Sequence, residues 1–117
     1  MKSPRLAVRF FLSSQGNEPV RDWLRSLSAV DRKLVGEEIR TVQLGWPIGM
    51  PVVRKFNAEL WEIRVRVKGG IARVLFTIQA KEAILLHGFI KKSRKTPADE
   101  LHTAQARLKQ LRGAARR

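Results

Sequence analysis

In the run Leu60-Trp61-Glu62-Ile63-Arg64-Val65-Arg66-Val67, apolar and charged residues alternate. Read as a strand, it turns Trp61, Ile63, Val65 and Val67 to one face and Glu62, Arg64 and Arg66 to the other. In the next run, Ile71 to Ile78, Ala72, Val74, Phe76 and Ile78 share a face and leave Arg73 opposite with Leu75 and Thr77. Pairing the two runs through a Gly69-Gly70 turn lets Glu62, Arg64 and Arg73 share one surface. A later run closes on Lys91, Lys92, Arg94 and Lys95 within five residues. Guanidinium and ammonium groups gathered in this way bind phosphate by Coulomb attraction and charge-assisted hydrogen bonds. A solvated sheet face and a solvated loop give the same patterns, and that plainer reading stands beside the functional one. His87, inside an apolar run, is either a hydrogen-bonded, half-buried side chain or a proton donor and acceptor, because imidazole titrates near neutrality.

Other chemistries find little support. The ten acidic residues and two histidines show no H-x-x-x-H or D-x-D arrangement, so no metal site and no cofactor are expected. Gly69-Gly70 lacks the spacing of a phosphate loop, and no serine has the G-x-S-x-G context. His102 lies among polar residues and carries no role. Trp23 and Trp61 read as core anchors, and Trp46 beside Pro47 as packing at a loop.

The elements that must position these groups follow from periodicity. Residues 5 to 12 read as a first strand ended by Ser13-Ser14-Gln15-Gly16-Asn17. Val20, Trp23, Leu24 and Leu27 stripe a helix with Pro19 in its first turn. Ser28, with Asp31 three residues on, caps a second helix striped by Val30, Leu34, Val35, Ile39 and Val42 and stopped by Gly45 and Pro47. From Val52 the period becomes two, through Phe56, then Leu60 to Val67, Ile71 to Ile78 and Ala83 to Lys92, with short turns that imply an antiparallel meander. Thr96-Pro97-Ala98-Asp99 reads as the cap of a last helix striped by Leu101, Ala104, Leu108 and Leu111, with residues 114–117 as a frayed tail. The expected fold is α+β in the order βααββββα, a mainly antiparallel sheet packed by an N-terminal helical hairpin and a C-terminal helix, forming one domain over residues 1–117.

The chain has 117 residues, 24 Lys+Arg against 10 Asp+Glu, a formal charge of +14 and no cysteine. Disulfide scaffolds and Cys-ligated zinc modules are excluded. At 44% hydrophobic and 29% charged it is a folded chain, of a length that buries roughly 65% of its unfolded surface. No signal peptide or membrane span is expected, since Arg9 interrupts the N-terminal apolar stretch and the longest apolar run is Ala83 to Leu86. A cytoplasmic protein with a polyanionic partner is the expectation, nucleic acid ahead of an acidic protein.

Leu60-Trp61-Glu62-Ile63-Arg64, Arg73-Val74-Leu75-Phe76 and Leu85-Leu86-His87-Gly88-Phe89-Ile90-Lys91-Lys92, with Lys95-Thr96-Pro97, resemble the phage-derived branch of the RelE/HigB-like toxins of type II toxin–antitoxin systems. The likeness extends over nearly the whole chain. It implies a RelE/ParE-like fold, metal-independent cleavage of mRNA, commonly on the ribosome, and neutralisation by a helix-turn-helix antitoxin. The 2′-hydroxyl would attack the adjacent phosphate while a base takes its proton, cations hold the phosphorane charge and an acid protonates the leaving oxygen. Carried over, Arg64 and Arg73 would stabilise the phosphate, Lys91, Lys92 and Lys95 would bind it or act as acids, and Glu62 or His87 would be the base. The expected catalytic set is therefore Glu62, Arg64, Arg73, His87 and Lys92, and the RNA-binding set Arg54, Lys55, Arg66, Lys91, Arg94 and Lys95. The chain departs from some relatives in having no tyrosine. The antitoxin is expected to present an acidic contact surface to a toxin of charge +14. Two other readings fit the same features: a ParE-like gyrase poison, and a non-catalytic basic module that holds a nucleic-acid backbone.

Overall fold

The computed structural model describes residues 5–115. The elements follow the expected order: β1 (Ala7–Phe10), α1 (Pro19–Ser26), α2 (Ala29–Gly45), β2 (Val53–Asn57), β3 (Leu60–Val67), β4 (Gly70–Gln79), β5 (Glu82–Lys91) and α3 (Ala98–Ala115). The helical hairpin is held by its caps. Ser28 Oγ accepts from the Asp31 N–H at 3.1 Å, as the spacing predicts. Arg32 then reaches back to the carbonyls of Leu24, Arg25 and Leu27, in the last turn of α1 and at its cap.

The five strands form one sheet in the order β1-β5-β4-β3-β2, with β1 parallel to β5 and every other pair antiparallel. The hairpin covers one face, where Val20, Val35, Ile39 and Val42 bury against Ile63, Val65, Val74 and Phe76. Trp46 meets Trp61 edge-on at 5.5 Å and Phe76 at 5.7 Å, which sets both tryptophans in the roles their sequence contexts suggest. On the other face α3 lays Ala104 and Leu108 over Leu60, Leu75, Ile84, Leu86 and Phe89. A bulge between Leu75 and Phe76 separates the pairs Leu75↔His87 and Phe76↔Leu85, leaving Leu86 as the extra residue of β5.

Two details of α3 differ from expectation. The helix starts at Ala98, and the carbonyl accepting its first bond belongs to Pro97, at 3.1 Å from the Leu101 nitrogen. Thr96 spends its hydroxyl elsewhere. The helix also continues through Gly113 to Ala115, so residues 114 and 115 extend it; 116 and 117 lie outside the described residues. Among the described residues, no helix is long and apolar enough to cross a membrane.

Gly88 is the place where α1 meets β5, and a methyl group there would overlap Cε3 and Cζ3 of Trp23. Gly88→Ala should therefore destabilise the protein by about 2 kcal/mol, since neither a β-strand backbone nor a packed indole can yield freely. Thermal melting measured by circular dichroism checks this, and an unchanged melting temperature would show that Trp23 can move aside.

Candidate functional site

The β3–β4 register sets Arg64 directly opposite Arg73, and the β2–β3 register sets Arg54 opposite Glu62. Cross-strand partners share a face, so the four charged residues do share the surface that alternation predicts. That surface is not open to solvent. Residues 92–97, between β5 and α3, fold over it, and Glu62 and Arg73 are both fully buried.

The burial is tolerated because nearly every polar atom is matched. Glu62 Oε1 accepts from Arg64 Nη1 at 3.0 Å, and Glu62 Oε2 accepts from the Thr96 hydroxyl at 2.6 Å. Arg73 donates from Nη1 to the Lys95 carbonyl at 3.0 Å and from Nη2 to the Ser93 carbonyl. Arg64 donates its second amine to the Arg94 carbonyl, also at 3.0 Å. Three successive loop carbonyls are thus turned inward onto two guanidinium groups, and the next residue, Thr96, is tied to the carboxylate between them. The Arg73 guanidinium also lies 5.7 Å from the centre of the Phe89 ring, and its Nε is buried without a hydrogen-bond partner. Desolvation lowers the Arg73 pKa, Glu62 opposes that shift, and the charges of Arg64 and Arg54 add to it.

This arrangement gives Arg73 a different place from the one the sequence suggests. Its two amines are occupied by loop carbonyls, so the planar fork expected to meet a phosphate instead meets the protein's own backbone. Glu62 likewise sits one side chain behind the surface and acts on it through Arg64. Alternation assigns a residue to a face of the sheet but says nothing about what later covers that face. The sequence context of Thr96 suggests a helix cap, and nothing in it marks the residue as the partner of Glu62.

His87 belongs to a separate cluster beneath α3. Its Nε2 is 2.8 Å from Glu100 Oε1 and its Nδ1 is 3.1 Å from Arg107 Nη1. An arginine only donates, so Nδ1 accepts and the ring proton on Nε2 faces Glu100. Arg107 also donates to the carbonyl of Leu86, the extra residue of the bulge, at 2.9 Å, and burial lowers its pKa. Both ring nitrogens are therefore engaged in docking α3, which agrees with the hydrogen-bonded, half-buried histidine of the plainer sequence reading.

What remains open is the outer side of the pinned loop. Lys91, Lys92, Arg94 and Lys95 are all exposed, as is Arg66. A cleft of about 310 Å³ runs between α2 and the loop, with Arg64, Arg66 and Arg94 in its lining. A second, of about 380 Å³, lies beside it at the Gly69-Gly70 hairpin and adds Lys68 and Lys92, while Arg66, Ile71 and Arg94 line both. Lys68 is a member the motif reading missed, because it sits in the turn outside the alternating runs. Arg54 lies over the Phe56 ring at 4.8 Å on the same sheet face, whereas Lys55 points to the opposite face, 5.8 Å from the Trp61 ring. The expected RNA-binding residues thus divide: Arg66, Lys91, Arg94 and Lys95 gather around the loop with Lys92, and Lys55 stands apart.

Among the described residues, no three His, Cys, Asp or Glu side chains come together as a group that could hold a metal ion. No curated protein matches the chain. A family model described as phage derived protein Gp49-like (DUF891) matches residues 22–109, from within α1 to the later turns of α3, and spans β2 to β5, the pinned loop and both clefts. With most of its length so matched, the chain belongs to the phage-derived Gp49-like family.

Proposed function

We propose that this protein is the toxin of a type II toxin–antitoxin pair and cleaves mRNA without a metal, on the ribosome. The observation that carries the reading is the pinned loop: buried Glu62 and Arg73, with half-buried Arg64, hold the carbonyls of residues 93–95 and the Thr96 hydroxyl so that Lys92, Arg94 and Lys95 face outward beside two cationic clefts. Such a surface offers several independent donors to successive phosphates of a single strand, with the ordering cost of the loop already met in folding. Membership of the Gp49-like family, which is RelE-like, supports the same reading.

In the proposed reaction the 2′-oxygen attacks phosphorus, a 2′,3′-cyclic phosphate forms and the 5′-oxygen leaves with a proton. The exposed loop cations stabilise the phosphorane charge, and Arg64, whose amines are held by Glu62 and the Arg94 carbonyl, adds Coulomb attraction from behind them. Glu62 and His87 are hydrogen-bonded inside the protein, so the exposed ammonium groups of Lys91, Lys92 and Lys95 are the side chains placed to give the leaving 5′-oxygen its proton, and the proton of the 2′-hydroxyl passes to water. The partner is an antitoxin with a helix-turn-helix domain and an acidic surface that covers the cations.

The internal engagement of Glu62 and His87 favours one alternative, a basic module that grips RNA and does not cut it. Expressing the protein alone and mapping cellular RNA ends separates the two. Growth arrest with new 5′-hydroxyl ends in mRNA is the expected result. Arrest accompanied by DNA damage and no new RNA ends would indicate a gyrase poison, and normal growth with abundant folded protein would remove both toxin readings.

A further inference from the structure

The cleft between α2 and the pinned loop contains one residue that a simple phosphate groove does not need. Glu38, on α2, lines it together with Arg64, Arg66 and Arg94. Among the described residues Glu38 has no ion pair and no side-chain hydrogen bond, although three guanidinium groups share its cleft. Arg64 is committed to Glu62 and to the Arg94 carbonyl. The carboxylate is therefore an acceptor held ready in a cationic surrounding, which suits a ligand bearing both negative charge and N–H donors.

The rest of the cleft narrows the ligand further. Its apolar lining comes from Met50, Pro51, Val52, Val65 and Ile71, and Met50 is 65% exposed. A flexible thioether left open to solvent beside other apolar side chains suits the face of a flat ring. The volume of about 310 Å³ lies at the small end of ligand pockets, matching a single nucleotide. β2 begins at Val53, and Val52 accepts from the Arg64 N–H at 2.9 Å, so β3 runs past its neighbour. By antiparallel alternation the N–H and C=O of Arg66 also face that open edge.

We propose that this cleft is a base-reading subsite for guanine in single-stranded RNA. Guanine is the base that presents two adjacent donors, N1–H and N2–H, to the two oxygens of one carboxylate, with its O6 beside them as an acceptor for an N–H such as that of Arg66. Arg66 and Arg94 take the flanking phosphates. The inference rests on the reading of the basic surface as an RNA-binding site, and it assigns Glu38 a selectivity role within it.

The test uses 2′-O-methyl hexanucleotides, which have no 2′-hydroxyl to react, and measures binding by fluorescence anisotropy at one fixed salt concentration. An oligouridine carrying a single G should bind about tenfold more tightly than all-U, and more tightly than the oligomers with a single A or C, as expected for one bidentate contact. Glu38→Gln, which keeps the shape but offers one acceptor, should erase that difference while all-U binding holds or strengthens. Thermal melting of the variant confirms that the half-buried position tolerates the change. Equal affinity for the four oligomers, a G preference that survives in Glu38→Gln, or a preference for A or C would overturn the guanine subsite and leave RNA binding standing. Failure of every oligomer to bind would overturn the RNA-binding reading and the subsite with it.

Discussion

Arg73→Ala should lower the melting temperature by about 15 °C and, on the function proposed above, remove RNA cleavage in the same step. The substitution leaves the Ser93 carbonyl without its guanidinium donor and the Lys95 carbonyl with the Ser93 hydroxyl alone, and opens a void beneath the loop. Two hydrogen bonds from a charged group together contribute on the order of 3 kcal/mol, and a domain of this size loses roughly 5 °C for each kcal/mol. The loop that carries Lys92, Arg94 and Lys95 then keeps only its ties to Arg64 and Glu62 and loosens, so binding falls with stability. Arg73→Lys should recover only part of the loss, because one ammonium cannot span two carbonyls held by a planar fork. Circular dichroism melting and an RNA cleavage assay on the same preparations check the coupling. If the alanine variant melts like the parent and yet fails to cleave, Arg73 touches the reacting phosphate and its burial is relieved when RNA binds.

The second large effect belongs to Glu62, the one carboxylate among Arg54, Arg64 and Arg73 on its sheet face. Glu62→Ala removes the buried anion that offsets those cations, and breaking a buried pair in this way costs about 3–5 kcal/mol. Glu62→Gln is the informative partner. Its amide oxygen can still accept from Arg64, and its amide nitrogen can donate to the Thr96 hydroxyl, which also accepts. If Glu62 positions the loop, the glutamine variant should fold and keep most of its cleavage rate. If Glu62 is the general base, the same variant should be folded and slower by about a hundredfold or more. A single-turnover rate measured beside the melting curve decides between these outcomes.

The fold was legible because period-two and period-3.6 patterns rarely conflict in this chain. Leu60 to Val67 is a strand over its full predicted length, and Ser28 caps α2 through the predicted bond to Asp31. The bulge that leaves Leu86 unpaired was hidden, since Ala83 to Leu86 is apolar throughout and offers no break in alternation to mark an extra residue. The candidate site was legible to the level of the face and no further. Glu62, Arg64 and Arg73 lie where alternation puts them, but their exposure is decided by where residues 92–97 return after β5. That path depends on hydrogen bonds from side chains to distant carbonyls, which have no sequence period. Arg107 acts through the same kind of bond and Thr96 through one to the distant Glu62 carboxylate, so neither stands out in the sequence.

The parallel pairing of β1 with β5 bears on how the molecule comes into being. Ala7 pairs with Glu82 and Phe10 with Leu85, so the first strand made waits for the last one before it has a neighbour. The four later strands join by short turns and can zip locally, whereas β1 must close a loop holding both α1 and α2, a slow and non-local step. The basic segment after β5 is the next to emerge, and Arg73 and Glu62 already stand in place to receive it. During synthesis, the five-stranded sheet and its cationic surface are therefore completed almost together, once β5 and the segment after it have emerged, and a nascent chain halted before Glu82 completes neither.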